Sequence, residues 1–162
     1  MPPSAHGSVE ILSATSPEQI AQCRELFLEY AASLGFSLRF QGFDDELKNL
    51  PGAYAPPAGR LLLALCDGGA AGCVGLRRLE GGVCEMKRLY VRPSCRGKRV
   101  GGWLVDRIIQ EERVAGYQRM RLDTITSSMQ DAIALYRRRG FREIPAYREN
   151  PIAGALYLEL ML

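Results

Sequence analysis

Residues Glu85–Gly102 read EMKRLYVRPSCRGKRVGG. An extended run closes at Arg92-Pro93, because proline has no backbone N–H to give to a sheet ladder. Ser94–Gly102 then gathers a serine, the cationic Arg96, Lys98 and Arg99, and the glycines Gly97, Gly101 and Gly102, just where an apolar helix begins near Val100. Glycine lets backbone approach a ligand closely, and the first N–H groups of a helix have no intrahelical partner. Those donors, the helix dipole and three cations together make a seat for a polyanion such as a pyrophosphate.

Outward from this stretch the pattern is regular. Upstream, Leu61–Cys66 and Ala71–Leu79 are apolar runs separated by Asp67-Gly68-Gly69, and Glu80-Gly81-Gly82 turns the chain into Val83–Val91. Three consecutive antiparallel strands follow from that punctuation. Val9–Leu12 reads as an opening strand. Ser16-Pro17-Glu18-Gln19 supplies an N-cap, a proline at the first helical position and a capping-box glutamine. Ile20, Cys23, Phe27, Ala31 and Leu34 recur at helical spacing up to Gly35. Phe36–Gln41 is ambiguous, Phe43–Leu50 reads as a short helix, and Leu50–Gly59, with three prolines and two glycines, as a rigid loop.

Downstream, Val100, Leu104, Val105, Ile108 and Ile109 share one helix face to about Ala115. Trp103 falls off that stripe, which suggests packing on a loop or a partner chain. Arg119–Thr124 is the next strand. Ser128, with Asp131 three residues on, suits the cap of a helix ending at Gly140. Phe141–Ile144 and Leu156–Leu162 read as final strands.

Composition limits the function classes. The chain has 162 residues, 47% apolar and 24% charged, with a net charge of +3, an ordinary single-domain profile for residues 1–162. That charge suits an anionic ligand and falls short of a dedicated nucleic-acid binder. Five scattered cysteines without C-x-x-C point to a reducing cytoplasm, and the single His6 leaves no metal cluster to propose. Met1–Gly7 lacks the apolar core of a signal peptide, and no run reaches membrane-spanning length.

Arg96-Gly97-Lys98-Arg99-Val100-Gly101 resembles the Arg/Gln-x-x-Gly-x-Gly/Ala signature of the GCN5-related N-acetyltransferases, with Arg99 where that family usually has glycine. Ala132-Ile133-Ala134-Leu135-Tyr136-Arg137-Arg138-Arg139-Gly140-Phe141 is similar to the family's A-x-x-L-Y-x-x-x-G-F motif. The wording EMKRLYV, RMRLDT and NP-x-x-GAL is similar to that of small bacterial members. The resemblance covers nearly the whole chain. It implies an α/β (α+β) fold: a mixed, mostly antiparallel sheet of six to seven strands, splayed between strands 4 and 5 and flanked by about four helices.

The resemblance also implies acetyl-CoA as cosubstrate. Its pyrophosphate would lie on Arg96, Gly97, Lys98, Arg99, Val100, Gly101 and Gly102. Its pantetheine arm would add to Leu89 and Val91 as a short extra strand beside Tyr90. Thr124, Ala132 and Arg138 would follow along its path, with Arg139 an alternative to Arg138 at the phosphates. Met129 stands where relatives often carry an asparagine that bonds the cofactor; Ser127 or Ser128 could replace it.

Transfer to an amine needs a proton acceptor for the nucleophile and a donor for the departing thiolate. Glu85, on the strand entering the phosphate loop, matches the family's glutamate base; desolvation between apolar neighbours would raise its pKa. An ion pair of Glu85 with Lys87, Arg88 or Arg77 is one alternative; deprotonation through water, as in many relatives, with Glu85 contacting the amine, is another. The motif tyrosine, here Tyr136, would be the acid. Tyr54, Arg60, Arg77, Arg88, Tyr147 and Arg148 are candidates to hold the acceptor, and such arginines suit a carboxylate or phosphate. The expected activity is acetylation of a small, amino-acid-like amine. A non-catalytic acyl-CoA sensing module, or an enzyme acting on peptides, is the rival. Trp103 and an apolar last strand raise a homodimer.

Overall fold

The computed structural model describes residues 8–127 and 129–162. In chain order it runs β1 (Val9–Ser13), α1 (Pro17–Ser33), a single turn at Arg39–Gln41, α2 (Phe43–Lys48), a turn at Gly52–Tyr54, then β2 (Arg60–Cys66), β3 (Gly69–Glu80) and β4 (Val83–Val91). A turn at Pro93–Cys95 leads to α3 (Val100–Ala115), β5 (Arg119–Ile125), α4 (Gln130–Arg138), β6 (Arg142–Glu143) and β7 (Ala155–Met161).

The seven strands form one sheet in the order β1-β2-β3-β4-β5-β7-β6. All neighbours are antiparallel except β4 and β5. Period-2 alternation splits the core into two layers. Leu62, Ala64, Val74, Leu76, Cys84 and Met86 pack with α3 and α4 on one face. Leu61, Leu63, Cys73 and Tyr90 pack with Cys23, Leu26 and Phe27 of α1 and Phe43 of α2 on the other.

The capping box forms as the sequence predicts: Ser16 Oγ accepts from Gln19 N–H, and Gln19 Oε1 accepts from Ser16 N–H, each at 3.1 Å. α1 ends at Ser33, ahead of Gly35, because Leu34 turns extended and caps the helix. α4 starts at Gln130 with Met129 in the cap position and no side-chain cap bond. The expected cap Ser128 lies outside the described residues, as do Met1–Gly7 and His6. Trp103 is 45% exposed and belongs to neither core layer. The last strand, β7, lies between β5 and the two-residue β6, which pairs with its Leu158 and Glu159.

One irregularity matters for the site. Opposite β3, the register jumps from Lys87↔Gly75 to Tyr90↔Cys73, so Arg88 and Leu89 together oppose Val74. This is a β-bulge, with Arg88 at φ +62°. It inverts the alternation. Glu85 and Lys87 lie on the α1/α2 side with Tyr90, whereas Leu89 and Val91 pack on the α3/α4 side. Arg88 is held in this uncommon conformation by Glu46, which takes hydrogen bonds from Nε at 2.8 Å and Nη2 at 3.0 Å. The Phe43 ring lies 5.1 Å from the guanidinium.

Candidate active site

β4 and β5 pair only from Val83↔Arg119 to Glu85↔Arg121 and then diverge. Beyond Glu85 the two strands open like a V, which frees one edge of β4. Two cavities fill the opening, with Tyr30 and Leu89 in the walls of both. The larger, about 660 Å³, runs past Leu89, Tyr90 and Val91 to Arg96, Gly97, Arg99, Val100 and Gly101, with Met129, Ala132 and Leu135 opposite. The smaller, about 50 Å³, lies deeper in the V, walled by Lys87 and Arg88 of β4, Leu122 and Asp123 of β5, Tyr136 of α4 and Gln41.

The large cleft is built for a long anionic ligand. Arg99 sits at φ +62°, ψ 18° as the residue before α3, and makes no side-chain cap bond. The first intrahelical bond runs from Trp103 N–H to Arg99 O. The amides of Val100 and Gly101, both in the cleft wall, are therefore left to a ligand, and the helix dipole adds positive potential there. Gly97, at φ +81°, turns the loop, and Arg96 Nε donates to Val91 O at 3.1 Å, tying the loop to the strand end. Arg99 thus keeps the left-handed backbone that a glycine would take with less strain.

Below the V, Glu85 is completely buried. Its Oε1 accepts from Arg77 Nε at 2.9 Å and lies 3.9 Å from Lys87 Nζ. Its Oε2 accepts from Tyr147 OH at 2.7 Å and from Arg148 Nη2. Tyr147 is fixed between Tyr157, edge-on at 5.3 Å, and the guanidinia of Arg121 and Arg148 at 5.5 and 5.0 Å. One carboxylate thus pins β3, β4 and the 144–154 segment together. Its carboxylate meets Arg77, Arg148, Lys87 and a phenol rather than apolar groups alone. Arg77 and Lys87 do approach it, while Arg88 turns away to Glu46.

Inside the small cavity, burial raises the pKa of Tyr136, so its hydroxyl stays protonated and able to donate. Its ring packs on Phe141 at 5.6 Å. Burial also raises the pKa of Tyr30. Lys87 Nζ donates to Gln41 Oε1 at 3.2 Å, and burial, reinforced by Arg88 and Arg77, lowers its pKa from 10.5 to about 7.

The comparisons with known proteins agree with this geometry. Residues 20–141 match the family model described as Acetyltransferase (GNAT) family. The chain belongs to the GNAT family. It is 40% identical over 155 residues, 94% of each chain, to an uncharacterized N-acetyltransferase of Schizosaccharomyces pombe. It is 29% identical over 126 residues to an uncharacterized N-acetyltransferase of Escherichia coli, covering 75% of this chain and 72% of that one. Relatives thus occur in yeast and bacteria alike. Among solved structures, a GNAT acetyltransferase of Staphylococcus aureus superposes with a TM-score of 0.76 at 21% identity, covering 94% and 98% of the two chains. An N-acetyltransferase of Thermoplasma acidophilum, in complex with coenzyme A, superposes with a TM-score of 0.71 at 17% identity, covering 96% and 99%. As a GNAT protein, the chain is an acetyl-CoA-dependent acyltransferase.

Of the residues expected to meet the cosubstrate, Leu89, Tyr90, Val91, Arg96, Gly97, Arg99, Val100, Gly101 and Ala132 line the large cleft. Others lie elsewhere. Lys98 is exposed, with Nζ 3.8 Å from Cys66 Sγ. Thr124 is buried and donates to Met129 Sδ at 3.1 Å. Gly102 lies beside Arg139 rather than in the cleft wall: a Cβ there would sit 3.0 Å from Arg139 Nη2. Arg139 is paired with Asp106 of α3, while Arg138 is exposed outside the cleft wall.

Among the acceptor candidates, Arg88 reaches the small cavity, and Arg77, Tyr147 and Arg148 gather on Glu85 just beneath it. Tyr54 is core, edge-on to Phe27 at 5.9 Å and packed over Gly75. Arg60 pairs with the buried Glu112 of α3 at 3.1 Å. Sequence reasoning missed Tyr30, Gln41 and Asp123. Only the RMRLDT wording touched one of them. Among the described residues no cluster of His, Cys, Asp and Glu could hold a metal ion, and no helix is long and apolar enough to cross a membrane.

Proposed function

We propose that the protein transfers the acetyl group of acetyl-CoA to the primary amine of a small, amino-acid-like molecule, by direct attack with both substrates bound. The observation that carries this is the pair of adjoining cavities in the β4/β5 opening, a long one for the donor and a compact one for the acceptor. The α3 N-terminus with Arg96 and Arg99 would take the pyrophosphate, and the free edge of β4 at Leu89 and Val91 the pantetheine. Tyr136, protonated and facing the small cavity, would give a proton to the departing sulfur. Glu85 faces neither cavity; its part is to position Arg77, Lys87, Tyr147 and Arg148. The small volume, with Asp123 and Asn150 in its wall, favours a compact polar acceptor over a peptide.

A thiol-release assay with acetyl-CoA against amino acids, polyamines, aminoglycosides and peptides tests this, with Tyr136→Phe alongside. Turnover of a small amine is expected. Tyr136→Phe should lower kcat by about 100-fold, at the low end of general-acid effects, while its acetyl-CoA Kd by calorimetry is unchanged. Saturable acetyl-CoA binding without turnover of any amine would favour a sensing module, and turnover of peptides alone a protein-modifying enzyme.

A further inference from the structure

We propose that Lys87 takes the proton from the acceptor's ammonium group, while Asp123, across the cavity, holds that ammonium in place. This rests on the amine-acetylation reading above and assigns its missing proton acceptor. Glu85, the residue the family pattern suggests, is buried, carries three hydrogen bonds and lines neither cavity. Lys87 follows it by two residues on the same side of β4 but reaches the cavity wall, where Gln41 fixes Nζ at 3.2 Å.

Asp123 lines the opposite wall from β5. Asn150 Nδ2 donates to its Oδ2 at 3.3 Å, and among the described residues Oδ1 takes no hydrogen bond. Arg88, in the same wall, is committed to Glu46, and Arg77 to Glu85. The cavity thus offers one carboxylate oxygen for an ammonium and one amine able to take a proton.

The groups around Lys87 set its charge. Glu85 and Arg88 flank it on β4, Arg77 faces it from β3, Asp123 from β5 and Glu46 from α2, and the Tyr30 and Tyr136 rings close the walls. Burial and the two arginines outweigh Asp123 and Glu46 and bring the pKa to about 7, so near neutrality Nζ has a lone pair.

The acceptor enters as R–NH3⁺ and passes one proton to Lys87 Nζ. The freed nitrogen lone pair forms the C–N bond to the thioester carbonyl carbon as the C–S bond breaks. The sulfur leaves with that electron pair. Tyr136 gives its proton to the sulfur, and the second proton, which the nitrogen loses as the amide forms, restores the Tyr136 hydroxyl. The sum is R–NH3⁺, acetyl-CoA and neutral Lys87 giving the acetamide, CoA thiol and Lys87 ammonium, which returns its proton to solvent.

The test joins a pH profile to a direct titration. Wild-type kcat/KM on its acceptor should rise with pH and break near 7. Lys87→Gln should lose about 100-fold at pH 7 and lose that break, its rate climbing instead toward the acceptor's own pKa. Lys87→Arg, always charged, should stay inactive throughout. Asp123→Asn should raise the acceptor KM and keep the break. NMR of ε-¹³C-lysine in the free enzyme should show one resonance with a midpoint near 7, absent in Lys87→Gln. Calorimetry with acetyl-CoA shows whether each variant keeps its fold.

Wild-type turnover with an unchanged Lys87→Gln profile would overturn the role of Lys87 alone, as would an NMR midpoint near 10.5. Absence of wild-type turnover on every amine would overturn the transfer reading itself, and this role with it. Should Lys87→Gln fail to bind acetyl-CoA, the wild-type pH break and the NMR midpoint decide between them.

Discussion

Glu85→Gln is the substitution whose consequence follows most directly from the structure. It preserves side-chain volume and removes one buried negative charge that faces Arg77, Arg148 and Lys87 and accepts the Tyr147 hydroxyl proton. Stripping one partner from a buried ion pair costs about 3–5 kcal/mol, because the remaining charge stays desolvated. The Arg77 and Arg148 side chains are 35% and 20% exposed, so solvent screens part of the loss and the lower end, about 3 kcal/mol, applies. The new amide group also turns N–H donors toward guanidinium donors. For a chain of this length, about 3 kcal/mol corresponds to a fall in Tm of roughly 6–12 °C.

Urea unfolding of wild type, Glu85→Gln, Arg148→Met and the double variant measures the coupling. Arg148→Met alone should cost about 2 kcal/mol. The double variant should fall short of the summed losses by at least about 1 kcal/mol, since either change already breaks the shared contact. A Glu85→Gln cost under about 1 kcal/mol, or additivity within about 0.5 kcal/mol, would refute the clamp. Glu85 would then be available for chemistry instead of positioning.

Two further outcomes are expected. Arg99→Gly should stabilise the protein by about 0.5–1 kcal/mol, since a side chain at φ +62° costs about 1–2 kcal/mol and glycine's extra unfolded-state freedom returns part of it; denaturant titration reads the difference. Lys87 has a folded pKa near 7 against the ordinary lysine value of 10.5 that it regains on unfolding, so between those values the unfolded chain binds the extra proton and stability rises with pH. The rise should begin near pH 7 and vanish in Lys87→Met, as followed by urea midpoints from pH 6 to 9.5.

Much of this molecule is legible locally. The Ser16–Gln19 box, the Val100–Ile109 stripe, the Gly-rich turns and Pro93 act through neighbours a few residues away, so the sequence predicts β4 and α3 with their observed bounds and places the anion-binding loop between them. The tyrosine of the α4 motif is likewise a local signal, and Tyr136 does face the opening between the strands. The short β6 is where local reading overreached, since Pro145 and the strand's peripheral position leave only two paired residues.

The chemistry of the site was settled by contacts that no local pattern carries. The bulge at Arg88 depends on how β4 pairs with β3, and by inverting the alternation it separates Glu85 and Lys87 from Leu89 and Val91. Strand periodicity alone would place all four on one face. Glu85 meets Tyr147 and Arg148 across 62 and 63 residues of chain, and Arg88 meets Glu46 across 42. Lys87 and Asp123 share a cavity only because β4 and β5, parallel and paired as far as Glu85, part beyond it. Residue type fixes what each group can do in water, whereas burial and its distant neighbours fix its charge, and those exist only once the sheet has closed.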